Sequence, residues 1–184
     1  MPGLLGGHTP GTSAFDLLDQ HATFGDILTG SAVVAAATPL SGAGTVRFAV
    51  ADQSGNLVAY QDLDLSSYVT IGDLVSAING ISGLSASIDA NGHVVISSTD
   101  SSDGVAINEM SGSAGPSGEG LVQYLGLNDL VTGTSASNIA VRSDILDDSA
   151  LLATSTLDAS ASPQGGAQVL TPGSSTIADD LYSA

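Results

Sequence analysis

Asp89, Asn91 and His93 present oxygen and nitrogen donors at alternate positions around Gly92, in the stretch SIDANGHVVISS. Alternating donors in a Gly-containing loop are what a hard cation such as calcium needs. A calcium loop of the EF-hand kind also needs more alternating acids and a distal bidentate Glu, and neither follows Asp89. The other reactive side chains lead no further. His8, His21 and His93 form no i, i+4 pair, and there is no cysteine to complete a zinc site. Acid pairs stand at Asp62 and Asp64, Asp147 and Asp148, and Asp179 and Asp180. The first pair can share one face of a strand as glycosidase carboxylates do, but aromatics are only 4% of the chain and basic partners are scarce. Thr9 in GHTPG occupies the place of an elbow nucleophile without a preceding strand, and GAG at 42–44 precedes a strand instead of following one. No Walker loop is present, nor any Lys to serve one. The expectation is no catalytic residue, no cofactor and no metal, hence no enzyme.

The elements that hold these residues supply a better account of them. DQSGNLVA from Asp52 and DANGHVVI from Asp89 share one pattern: Asp, two residues, Gly, a polar residue and an apolar run. Each lies between stretches of period-2 alternation. Asp bonds the backbone two residues on, and Gly accepts the positive φ of a tight hairpin. Both are read as hairpin turns. In the first hairpin Val46, Phe48 and Val50 point one way; across the turn, either Leu57, Ala59 and Gln61 or Val58 and Tyr60 face with them. Between the hairpins, Ile71, Leu74, Val75 and Ile78 fall at i, i+3, i+4 and i+7, one stripe of a helix. Thr70 is its expected N-cap, Asp73 completes a capping box, and Gly80 stops it. Leu84, Ala86 and Ile88 then alternate into the second turn, DGVAIN adds a further strand, and Leu121, Tyr124, Leu125 and Asn128 predict a short helix. Phe15, Leu18 and Ala22 predict another near the start.

The expected fold class is α+β, mainly β: antiparallel strands and hairpins around one central amphipathic helix, rich in loops. The expected division is an irregular segment over 1–44, a central β-β-α-β-β domain with its following short helix over 45–131, and a strand plus loop-rich arm packed on the domain over 132–184. The 42% of hydrophobic residues, nearly all aliphatic, are enough for a core around a sheet.

Charge narrows the partners. The net charge is -17, with two Arg and no Lys. A nucleic-acid partner needs a cationic footprint, as does an anionic membrane surface, and neither is present. The acids are nearly all Asp, the exceptions being Glu109 and Glu119. They are read as a solvated exterior and as turn and cap builders. Arg47 and Arg142 are each expected to pair with a nearby Asp on an exposed sheet face, which is worth little alone. The longest apolar run, Ala32 to Ala37, is too short to cross a membrane, and MPGLLGGHTP lacks the basic and apolar regions of a secretory signal.

The run VTIGDLVSAINGISGLSASIDANGHVVISSTD, 69–100, resembles the repeat in the outer parts of flagellar axial proteins, among them flagellin and hook-associated proteins. Its marks are a capped helix ending in A-I-N, an S-A-S strand, a D-x-x-G turn and a short apolar strand. YLGLNDLVTGTSASNIAVRSDILDDSALLATST, 124–156, is similar to the stretch leading out of the outer domain in the hook-associated protein 1 family, which joins hook to filament. FAVADQSGNLVAYQDLDL also fits that family, and the resemblance covers roughly 45–156. It implies a structural, non-enzymatic outer domain, extracellular on the flagellum and exported through the flagellar channel. The implied partners are neighbouring copies in the junction ring, with the hook protein and the other junction protein held by axial helices. No sustained heptad pattern is found at either end, so those helices are expected to lie outside this chain. Two rival expectations are an outer domain of flagellin or the filament cap, and a calcium-stabilised adhesive module. The latter should carry repeated G-x-D runs, and none is found.

Overall fold

The computed structural model describes residues 27–127, 129, 131–132, 137–138, 140–143, 146, 157–158, 160 and 162–170. In chain order the elements are β1 (Ile27–Thr29), β2 (Thr45–Asp52), β3 (Leu57–Asp64), a 3-10 turn (Leu65–Ser67), α1 (Ile71–Ile78), β4 (Leu84–Ile88), β5 (Val94–Ser98), β6 (Asp103–Asn108), α2 (Leu121–Leu125), β7 (Val131–Thr132) and β8 (Ala140–Val141). The fold is α+β and mainly β, as the alternation and the one strong helical stripe require.

Two three-stranded antiparallel sheets share one core. The first has the order β3-β2-β6 and the second β1-β5-β4; β7 and β8 form a separate ribbon. Each larger sheet is built on a hairpin. β6 leaves the second hairpin and returns to pair with β2, Phe48 opposite Ile107 and Val50 opposite Val105. The inward rows of the first sheet include Val46, Phe48, Val50, Leu63, Val105 and Ile107; those of the second include Leu28, Leu84, Ala86, Val94 and Ile96. Helix α1 adds Ile71, Leu74 and Ile78, each at most 1% exposed, and α2 adds Leu121, Val122 and Leu125. Burying one such aliphatic side chain contributes about 1.5–3 kcal/mol.

Helix α1 begins where the sequence predicts. Thr70 Oγ1 accepts from the Asp73 N–H at 3.2 Å, and Asp73 Oδ2 accepts from the Thr70 N–H at 2.9 Å, a complete capping box. The segment before β2 ties hairpin to helix: the Val34 N–H donates to Gly92 O, the Leu40 N–H to Val69 O, and the Ile71 N–H to Thr38 O. Strand β1, three residues long, has no alternation for a sequence reading to detect. The helix expected around Phe15, Leu18 and Ala22 lies outside the described residues.

Neither alternative for the face of β3 survives intact. Ala59 opposes Val50 on the inward face, but Leu57 opposes Ala51 on the outward one. The register shifts between Val50 and Ala51, and a bulge of one residue moves every residue beyond it to the other face.

Candidate functional site

The two hairpin turns share the same main-chain hydrogen bonds. Asp52 Oδ1 accepts from the N–H groups of Ser54 at 2.8 Å and Asn56 at 2.9 Å; Asp89 Oδ1 accepts from those of Asn91 and His93, both at 2.8 Å. The Asp52 N–H donates to Asn56 O and the Asp89 N–H to His93 O, each at 2.9 Å. Gly55 and Gly92 close the loops at φ 80° and 89°, where a β-carbon is strained. Asp89 and Asn91 are therefore parts of a turn. His93 adds a 3.6 Å contact from Nδ1 to Asp89 Oδ2. Among the described residues no group of three or more His, Asp or Glu is arranged to hold a metal.

The same use of Asp recurs along the chain. Asp64 accepts from the Ser66 N–H, Asp100 from the Ser102 N–H and Asp158 from the Ser160 N–H. These bonds favour the carboxylate, so Asp52, Asp64, Asp73, Asp89 and Asp100 are all held below the usual Asp range. Of the acid pair on β3, Asp64 caps the 3-10 turn and Asp62 binds Arg47. The pairs at 147–148 and 179–180, and His8, Thr9 and His21, lie outside the described residues.

Arg47 corrects the sequence reading. It does pair with an Asp, but on a buried face: its relative exposure is 0%. Nε lies 2.6 Å from Asp62 Oδ1 and Nη2 lies 2.8 Å from Asp62 Oδ2, a bidentate pair. Nη1 donates to Ser160 O at 2.5 Å and to Asp158 O at 3.4 Å, and the guanidinium sits 4.6 Å from the Tyr60 ring centre. The bond to Asp62 outweighs burial and keeps the guanidinium charged. The cover comes from the described residues between 157 and 170, far along the chain. Leu157, Val169 and Leu170 pack with Ala49, Ala51, Leu57 and Ala106 in a second, smaller core. The Val169 and Leu170 N–H groups both donate to Gly55 O, and the Asn108 carboxamide donates to Leu157 O at 3.0 Å. Arg142 donates to the main-chain carbonyls of Thr29, Gly126 and Leu127.

Asn79 is the residue whose role the sequence reading missed. It ends α1, and its carboxamide lies against the edge of β4. Asn79 Oδ1 accepts from the Ala86 N–H at 2.9 Å while Nδ2 donates to Ala86 O at 2.7 Å and to Val75 O at 3.0 Å. The side chain thus bonds both main-chain groups of Ala86, as a neighbouring strand would, and it ties helix to sheet. A sequence shows the Asn before Gly80 as a helix end; its partner seven residues on is invisible until the chain folds.

Glu109 holds α2. The N-cap, Gly120, has no side chain, and Glu109 Oε1 accepts from the Val122 N–H at 2.6 Å in its place. Burial pushes this carboxyl above the usual Glu range. Asn108, Glu109, Met110, Gly112 and Gly120 line a shallow polar recess beside it.

No helix among the described residues is long and apolar enough to cross a membrane. No curated protein matches the chain. Residues 45–100, from the first strand of one hairpin to just past the last strand of the other, match the flagellin hook IN motif. That match supports a flagellin-like or hook-associated protein, a structural component of the flagellar axis that associates with copies of itself.

Proposed function

We propose that this chain is the surface-facing outer domain of the subunit that joins the flagellar hook to the filament, in the hook-associated protein 1 family. It acts by packing and spacing in an extracellular assembly, without turnover, cofactor or metal. The observation that carries the reading is the hook-motif match over 45–100. The 124–156 stretch, similar to that family's exit from its outer domain, supports the junction over flagellin or the cap. The division into 1–44, 45–131 and 132–184 belongs to the same reading, with axial helices of the parent carrying most assembly contacts to the hook protein and the other junction protein.

Deleting the parent gene tests it, with electron microscopy of the cells and a probe of the medium for shed filament protein. Hooks without filaments, and filament protein lost to the medium, are the expected result. Attached filaments of normal length would remove the junction role. Hooks without filaments and no filament protein in the medium would point to a filament subunit instead.

A further inference from the structure

The outward faces of the two sheets differ, and the difference assigns a partner. On the second sheet the outward residues form two cross-strand rows, Ile27–Ser97–Ser85 and Thr29–Val95–Ser87. Ser85 and Ser87 are exposed, Ile27 is 51% exposed, and Thr29, Val95 and Ser97 are half-buried. No residue of either row is charged, in a chain of net charge -17.

The edges of this sheet are less available than its face. Asn79 occupies both main-chain groups of Ala86 on β4, and Arg142 donates to Thr29 O on β1 at 3.0 Å. Strand addition, which needs free edge groups, is blocked at those positions. A face-to-face contact, with sheets about 10 Å apart, meets no such obstacle. The rows suit it, since serines allow close approach and Ile27 and Val95 supply the apolar contact.

Charge decides what sits there. The chain has no Lys, and both Arg are engaged internally, Arg47 by Asp62 and Arg142 by main-chain carbonyls. A copy of this chain therefore offers little to attract the acids of another copy, and an acid-bearing contact between copies is repulsive. A basic partner would find no acid within either row. We infer that the outward face of the β1-β5-β4 sheet is where a second copy of this chain packs, uncharged row on uncharged row. The inference rests on the reading of the chain as a self-associating flagellar component. The two rows hold six residues, against about 20–30 a side in a standard interface, so the contact is weak between two free copies and gains strength from repetition in an assembly.

The chain contains no cysteine, so single thiols report cleanly. Ser97→Cys, Ser85→Cys and a control in the exposed turn of the other hairpin, Gln53→Cys, are treated at high protein concentration with a bis-maleimide spanning about 10 Å. The face variants are expected to form covalent dimers at least about tenfold faster than the control, by the effective concentration of a docked pair. Their rate should rise with salt between about 0.05 and about 1 M, as acid repulsion is screened. Adding Val95→Asp to Ser97→Cys should return the rate to that of the control. Equal rates for face and control thiols would overturn the inference. So would a Ser97→Cys thiol that resists a monofunctional maleimide while Gln53→Cys reacts, since the chain's own residues would then occupy the face. Crosslinking with intact filaments in the deletion strain would keep this contact and remove the junction role; the reverse pair of results would do the opposite.

Discussion

The β2–β3 and β4–β5 hairpins begin from the same turn and end in different circumstances. Both place aliphatic rows in one core, and both hold the turn with an Asp that accepts two main-chain N–H groups. Outside, the first carries Arg47, Ala49 and Ala51 under the 157–170 arm, and the second carries Ser85, Ser87, Val95 and Ser97 half or fully exposed. The difference lies in the alternate residues, which the turn leaves unconstrained. The hook motif ends at residue 100, so the arm that seals the first sheet comes from outside it. A repeated local device sets two hairpins, and sequence-distant chain decides which face is internal.

The sharpest test places one cation on equivalent outward positions of the two central strands. Ala49 is 0% exposed under the arm, and Ala49→Lys buries an unpaired charge beside Arg47. It should cost about 4 kcal/mol or more in urea unfolding. Val95→Lys points from the half-buried face of the second sheet and should stay within about 0.5 kcal/mol of the parent. Similar costs for both would erase the distinction between a covered and a bare sheet.

Arg47→Ala probes the seal itself. It removes the bidentate bond to Asp62 and two donors to the arm carbonyls. The expected cost is about 3 kcal/mol, the lower end for breaking a buried pair, because Asp62 keeps 32% side-chain exposure to water. Amide exchange at Asp158, Val169 and Leu170 should accelerate while the β4–β5 amides keep their protection. An arm that stays protected would show that the apolar contacts of Leu157, Val169 and Leu170 suffice.

The sequence shows the hairpins and the capped helix because each rests on neighbours within about ten residues, the range of turn and helix signals. Its errors share a cause. Arg47 reads as a surface residue because its cover begins at Leu157. The face of β3 reads two ways, with Leu57 inward in one of them, because the bulge beside Val50 and Ala51 leaves no local mark. Asn79 reads as an ordinary helix end because its strand partner depends on how α1 packs on β4. Each miss depends on strand register or on packing that local periodicity does not encode, and the packing of the sequence-distant arm distinguishes the two faces.

Asn79→Ala should be the next largest effect. It strips Ala86 of both side-chain partners, and a part-buried amide and carbonyl left unmade cost about 2 kcal/mol. Asn79→Asp keeps the acceptor for the Ala86 N–H but turns its other oxygen toward two carbonyls, and should recover little of that loss. Full recovery would show that the acceptor alone closes the β4 edge.

Gly55→Ala and Gly92→Ala each force a β-carbon into the left-handed region, for about 1–2 kcal/mol. The two should differ in reach. A β-carbon at Gly55 comes within 2.6 Å of Leu170 O, and one at Gly92 meets Val33 Cγ1 at 2.9 Å. Only Gly55→Ala should speed exchange at the Leu170 amide; an equal effect of both variants there would contradict the separate covers.

Acid offers the gentlest test, and it concerns the likeness of the turns. The Asn56 carboxamide and backbone lower Asp52, and the His93 backbone N–H lowers Asp89. The unfolded carboxyl titrates near about 3.9. Each group therefore binds protons more weakly in the folded chain, and its stabilisation is complete above that value and lost as pH falls through the lowered one. Glu109 works oppositely. Its raised value means the folded chain holds the proton longer, so its contribution declines as pH rises from about 4.3, the unfolded value. Urea midpoints measured from about pH 2 to about pH 7 should fall on the acid side. Asp52→Asn and Asp89→Asn should each make that fall shallower, since each carboxylate accepts the same pair of main-chain bonds. Glu109→Gln keeps an acceptor for the Val122 N–H and should flatten the opposing slope. If Asp52→Asn flattened the acid limb and Asp89→Asn did not, the turns would be alike in geometry and different in energetics, and the divergence of the hairpins would begin at the turn.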